Sequence, residues 1–153
     1  MATTTGLTNV AKQAAADAVC PSGSVLKGML IKVGAAGTYD QAYATAYPGA
    51  GSWVDEVAAG NGYTQGGITL SGRAGGPASN QGYVDFADLV WNVAAGQTLS
   101  ATGLAIWDST LSRWVAFVDF GGTMTVAVPV GGNASTFTVQ IPGDGGNGLV
   151  RFP

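Results

Sequence analysis

The chain contains no histidine. That removes the side chain that most often moves protons near neutral pH, and with it the commonest metal ligand. Ser-His-Asp and Cys-His nucleophilic sites are thereby excluded. A single cysteine, Cys20, excludes an internal disulfide and a thiolate–imidazole zinc site. Charge is also scarce, at 10% of residues against roughly 25% in a typical soluble domain. The six basic residues (Lys12, Lys27, Lys32, Arg73, Arg113 and Arg151) form no cluster, and the net charge is −3. Binding a nucleic acid backbone needs a basic stripe, so no nucleic-acid partner is expected. No apolar run approaches the roughly 18 residues of a membrane span. The opening MATTTGLTNV has neither the basic nor the apolar region of a signal peptide. The expectation is a soluble chain made in the cytosol, with no membrane partner.

What remains is small and neutral. Glycine supplies 25 of 153 residues, and 46% of the chain is hydrophobic. Such a surface offers little repulsion between copies. It either risks aggregation or is covered by neighbours. The length suits one domain with a sizeable core.

Residues 7–19, LTNVAKQAAADAV, read as a short helix. Leu7, Val10, Ala11, Ala14 and Ala18 recur at helical spacing, with Asn9, Lys12, Gln13 and Asp17 on the other side. Cys20-Pro21 ends it, because the residue before proline is pushed out of the helical region. The alanine-rich stripe is weak alone and needs a partner surface, from its own domain or a neighbouring subunit. After Gly23, runs of β-branched and aromatic residues alternate with Gly, Asn, Asp and Pro clusters. Strands are expected near 25–33, 63–71, 83–91, 99–108, 113–120, 123–129, 135–141 and 148–152. Their spacing predicts a mainly β protein, a single antiparallel β-sandwich (jelly-roll or immunoglobulin-like) with a short N-terminal helix. The helix and its arm occupy 1–24 and the sandwich 25–153. The gap 34–62 reads as a long excursion.

The stretch LAIWDSTLSRWVAFVDF, Leu104–Phe120, tests one enzymatic reading. A hairpin with a four-residue loop, Ser109–Ser112, pairs Asp108 with Arg113 and Trp107 with Trp114. It also pairs Ile106 with Val115, Ala105 with Ala116 and Leu104 with Phe117. Each pair is sensible and contributes roughly 0.2–1 kcal/mol. Asp119 then lies about 20 Å from Asp108 at about 3.3 Å per residue. Glycosidase carboxylates stand roughly 5–9.5 Å apart, so this pair does not fit. In this register both faces of the hairpin are apolar. One can meet the core, and the other needs a loop, the helix or another chain.

Other candidate sites weigh lightly. Asp55, Glu56, Asp85 and Asp88 could serve carboxylate chemistry, but their spacing pairs none of them. Asp85 with Asp88, or GDGGNG around Asp144 and Asn147, could be offered to calcium, but the glycine-rich loop lacks the ligand pattern. AGNGYTQGG reads as a turn at Asn61-Gly62 rather than a phosphate loop. No catalytic residue, metal or cofactor is expected. Tyr39, Tyr43 and Tyr47, spaced by four, either staple the long segment onto its own domain or offer a contact surface.

The order of features resembles a group of small virion structural proteins of tailed bacteriophages. A helix of the LTN…A…A…DAV kind leads, followed by EVAAGNGYTQGGITLSG (56–72), YVDFADLVW (83–91), GLAIWDS (103–109) and VAFVDFGG (115–122). The resemblance covers most of the chain and contains no catalytic signature. It implies a β-sandwich subunit of the virion, of the capsid decoration or cement kind, that bridges and stabilises neighbouring major capsid proteins. It implies contacts with the major capsid protein and with copies of itself, a trimer being favoured. The expected partner-facing residues are Leu7, Val10 and Ala14 of the helix, Tyr39, Tyr43 and Tyr47 of the long segment, and Trp107 and Trp114 of the hairpin. A tail, baseplate or fibre-adaptor subunit is the neighbouring alternative. A carbohydrate-binding module, stacking sugars on the tryptophans, is the alternative from another class.

Overall fold

The computed structural model describes residues 7–32, 47–78, 80–141 and 148–152. Tyr39, Tyr43, Asp144 and Asn147 lie outside the described residues. The protein is mainly β with one short N-terminal helix, and its sheets are antiparallel. The chain divides into two compact units. One comprises Met1–Gly23, Ser71–Asp88 and Gln140–Pro153, the other Ser24–Leu70 and Leu89–Val139.

The first unit holds α1 (Asn9–Val19) and a three-stranded sheet in the order β3 (Ala74–Ala78), β4 (Gln81–Asp85), β9 (Val150–Phe152). Thr8 caps the helix by accepting from the Ala11 N–H at 3.3 Å. At the other end Arg73 donates twice to the Cys20 carbonyl, at 3.1 and 2.9 Å, and to Asp17 at 2.6 Å. A cation on the last carbonyls suits the negative end of the helix dipole.

The helix docks through its polar side. Its sheet-facing side carries Lys12, Gln13, Ala16 and Asp17. The Lys12 ammonium donates to the Asn80 carbonyl at 2.6 Å. The Gln13 amide closes a two-way pair with the Tyr83 backbone, accepting from its N–H and donating to its carbonyl, each at 3.1 Å. Ala16 is fully buried, whereas Leu7 and Val10 stay 64% and 76% exposed and Ala14 is exposed too. The cause is steric. A Cβ on Gly82 would fall on the backbone of Lys12 and Gln13, so only glycine lets the helix lie this close.

The second unit holds a four-stranded sheet and a strand pair. The sheet runs β2 (Ile68–Thr69), β1 (Leu26–Ile31), β6 (Thr98–Asp108), β7 (Arg113–Ala127), and β5 (Leu89–Val93) pairs with β8 (Ser135–Val139). β6 is buried on both faces. Ala105 and Trp107 share one face with Met29 and Ile31 of β1, while Leu104 and Ile106 take the other. On that second face Leu70, Leu89 and Leu104 converge over Gly28.

Several expected strands take other bounds. The strand expected over 63–71 shrinks to Ile68–Thr69, because a turn at Gly66-Gly67 precedes it, with both residues at positive φ. The strand over 83–91 splits into β4 and β5, and β3 was unforeseen because AGGPA carries no β-branched residue. The strands over 113–120 and 123–129 are limbs of β7. Gly103 pairs with Asp119 but Ala101 with Met124, so three extra residues bow out between the limbs. Asp119 accepts from the Gly121 N–H at 2.8 Å there, and Gly121 takes a φ of 74°.

Gly82→Val should destabilise the protein by about 2 kcal/mol or more and speed amide exchange along α1. Gly76→Ala, which meets nothing within 4 Å, should stay within about 0.5 kcal/mol. Denaturant midpoints and hydrogen exchange of the two variants check the pair.

Candidate functional site

The hairpin register holds at its tip and changes below it. Asp108 faces Arg113 and Trp107 faces Trp114, as expected. Ile106, however, faces Ala116, Ala105 faces Phe117, and Leu104 faces Val118. Val115 is the extra residue of a β-bulge, which moves the side chains of residues 116–119 to the opposite face. Phe117 therefore joins the tryptophans, its ring 5.1 Å from that of Trp114. The bulge also resets the carboxylates. Asp119 faces Gly103, five positions from Asp108 along β6, or about 16 Å at the usual strand rise.

Asp108 is fully buried and serves the turn. Its Oδ1 accepts from the Thr110 and Leu111 N–H groups at 3.0 Å each. Its Oδ2 lies 3.9 Å from Arg113 Nε. The loop is tied to the start of β1, where Ser109 donates from backbone and hydroxyl to the Val25 carbonyl and Thr110 Oγ1 accepts from the Val25 N–H.

The aromatic face is covered by the chain itself. Trp53 and Tyr47, from the end of the long excursion, pack over Trp107 and Trp114. The centroids of Trp53 and Trp107 each lie 4.8 Å from that of Trp114, and Tyr47 stands 5.9–6.1 Å from all three tryptophans. Trp107 keeps only 7% exposure, while Tyr47 and Trp114 are half-buried. Interplanar angles among these rings run from 42° to 87°. The rings meet edge-on or tilted, the geometry of aromatic packing rather than of an open, flat stacking platform.

Beneath this cluster sits a group that sequence reasoning placed among possible catalysts. Glu56 is 1% exposed, and among the described residues its hydrogen-bond partners include no cation. Its Oε1 accepts from the Tyr63 hydroxyl at 2.7 Å and the Gly66 N–H at 2.5 Å, and its Oε2 from the Tyr47 hydroxyl at 2.8 Å. Three donors satisfy the carboxylate, which is what a buried charge requires. The node anchors the returning excursion, since Val57 N–H also donates to the Leu30 carbonyl of β1 and the Lys32 N–H, just past β1, to the Asp55 carbonyl. The signal available was a glutamate set between Trp53 and Val57 and followed by a glycine-rich turn to Tyr63, a poor place for a solvated charge. Asp88, another of the four, accepts from the Ile141 N–H at 3.0 Å. One Asp85 oxygen is buried without a hydrogen bond. Among the described residues no group of three acidic, cysteine or histidine side chains could hold a metal ion.

The expected partner-facing residues thus part company. Tyr47, Trp107 and Trp114 come together in the covered cluster. Leu7, Val10 and Ala14 come together on the open side of α1. No protein-family model, curated protein or solved structure matches the chain.

Burial, then the hydrogen bonds to Glu56 and its charge, push the Tyr47 and Tyr63 hydroxyls above the ordinary phenol value of 10.0. An acid raised on folding stabilises the fold below its unfolded pKa and loses that contribution above it. Melting temperature should therefore fall as pH climbs above 10, with tyrosinate absorbance appearing in step with unfolding for these two residues. Glu56→Ala, which orphans two hydroxyls and an N–H, should cost about 3 kcal/mol or more in denaturant melts, and Glu56→Gln about 1–2 kcal/mol.

Proposed function

We propose that the chain is a non-enzymatic structural subunit of a virion, a capsid decoration or cement protein that bridges and stabilises neighbouring major capsid proteins. The observation that carries this reading is the orientation of α1. Its polar side is consumed by its own sheet, so the apolar side of Leu7, Val10 and Ala14 is left for another chain. Covering Leu7 and Val10 contributes about 1.5–3 kcal/mol each. The sparse charge supports the same reading, because little repulsion opposes close approach of neighbours. So does the resemblance of the feature order to small tailed-phage virion proteins, with their β-sandwich of jelly-roll or immunoglobulin-like kind. The partners proposed are the major capsid protein and further copies of this chain, a trimer suiting a local threefold axis. The location proposed is the assembled particle.

Quantitative mass spectrometry of purified particles tests the proposal. Hundreds of copies, in fixed ratio to the major capsid protein, are expected. A few to a few dozen copies would move the chain to the tail, baseplate or fibre adaptor, and absence from particles would overturn both structural readings. Val10→Asp should leave the melting temperature of the isolated protein unchanged and sharply reduce its copies per particle.

A further inference from the structure

We infer that Asn61 is a site of spontaneous covalent conversion to aspartate and isoaspartate, and that the isoaspartyl product releases the Glu56 node. Asn61 and Gly62 form the two-residue loop of a tight turn, at φ 54° and 87°, and both are exposed. The turn is closed by two backbone hydrogen bonds, Gly60 N–H to the Tyr63 carbonyl and Tyr63 N–H to the Gly60 carbonyl, each 2.9 Å. Asparagine is among the thermally labile residues. Its side-chain amide is most open to its neighbour's nitrogen when that neighbour has no Cβ to crowd the approach.

The chemistry needs only water. The Gly62 nitrogen loses its proton and attacks Asn61 Cγ. The new N–Cγ bond forms, the Cγ–Nδ2 bond breaks, and ammonia leaves, giving a five-membered succinimide. Water then adds to either ring carbonyl. Opening at one restores an ordinary peptide with an aspartate side chain. Opening at the other routes the main chain through Cγ, which lengthens it by one carbon.

The structure has no room for that extra carbon. Gly62 lies directly against the Asn92 carbonyl, where even a Cβ would not fit. A longer loop cannot keep both Gly60–Tyr63 bonds, and Tyr63 is the residue whose hydroxyl holds Glu56 Oε1. Damage at an exposed turn is thereby transmitted to a buried carboxylate. Asn80 is also exposed and has a φ of 63°, but Gln81 follows it, and Val93 and Ala134 follow Asn92 and Asn133.

The test is to age the purified full chain in warm, mildly alkaline buffer and map asparagine conversion by peptide mass spectrometry with isoaspartate detection. Asn61→Gly, aged in parallel, keeps the turn without the reactive amide. It also cancels any conversion at Asn147-Gly148, the other Asn-Gly pair in the sequence. Asn61 should convert several-fold faster than Asn80, Asn92 and Asn133, and aged wild type should melt below aged Asn61→Gly. Conversion of Asn61 no faster than Asn80 would overturn the site. Isoaspartate at Asn61 with the melting temperatures equal would overturn its link to Glu56.

Discussion

A missing side chain at position 82 decides which way the N-terminal helix faces. Because Gly82 has no Cβ, the backbone of Lys12 and Gln13 lies directly on β4. The helix side that meets the sheet is its polar side, not its apolar stripe. Gln13 satisfies both backbone groups of Tyr83, Lys12 reaches the Asn80 carbonyl, and Arg73 gathers Asp17 with the helix C-terminus. Polar groups partly withdrawn from water are tolerated when they are hydrogen-bonded, and those bonds fix one geometry. The cost is that two large apolar side chains, Leu7 and Val10, remain in water.

The second unit solves the opposite problem. Its hairpin is apolar on both faces, and over β6 the chain covers both itself. Leu70 and Leu89 close one side over Gly28, and Trp53 and Tyr47 close the other over the tryptophans. Glu56 makes that second cover durable by gripping Tyr47 and Tyr63 at once. The aromatic face is thus covered by its own chain, whereas Leu7 and Val10 of α1 stay exposed.

Much of this was legible in the residues. The helix, β1, β6, β8 and the hairpin tip follow from apolar spacing and turn chemistry, and the opposite-charge and tryptophan pairs mark the register at the loop. The bulge at Val115 was not legible, since each residue of Val115–Val118 is acceptable on either face and only packing against Trp114 selects one. The helix direction was not legible either. Periodicity identifies the apolar stripe of Leu7, Val10 and Ala14, but its orientation depends on a glycine about seventy residues away in sequence. Glu56 was legible as unusual, yet its role depends on Tyr47, Tyr63 and Gly66 converging from separate turns. Spacing leaves Tyr47 open between a staple and a contact surface, and in the fold its ring packs against Trp53 and Trp107.

The apolar side of α1 is exposed in the isolated chain, and we propose that a partner covers it in the particle. Thiol labelling of Val10→Cys tests it most directly, because the native Cys20 is fully buried and contributes little background. Val10→Cys should label rapidly in the isolated protein and be strongly protected in purified particles. Slow labelling in the isolated protein, or equally rapid labelling in both, would contradict it.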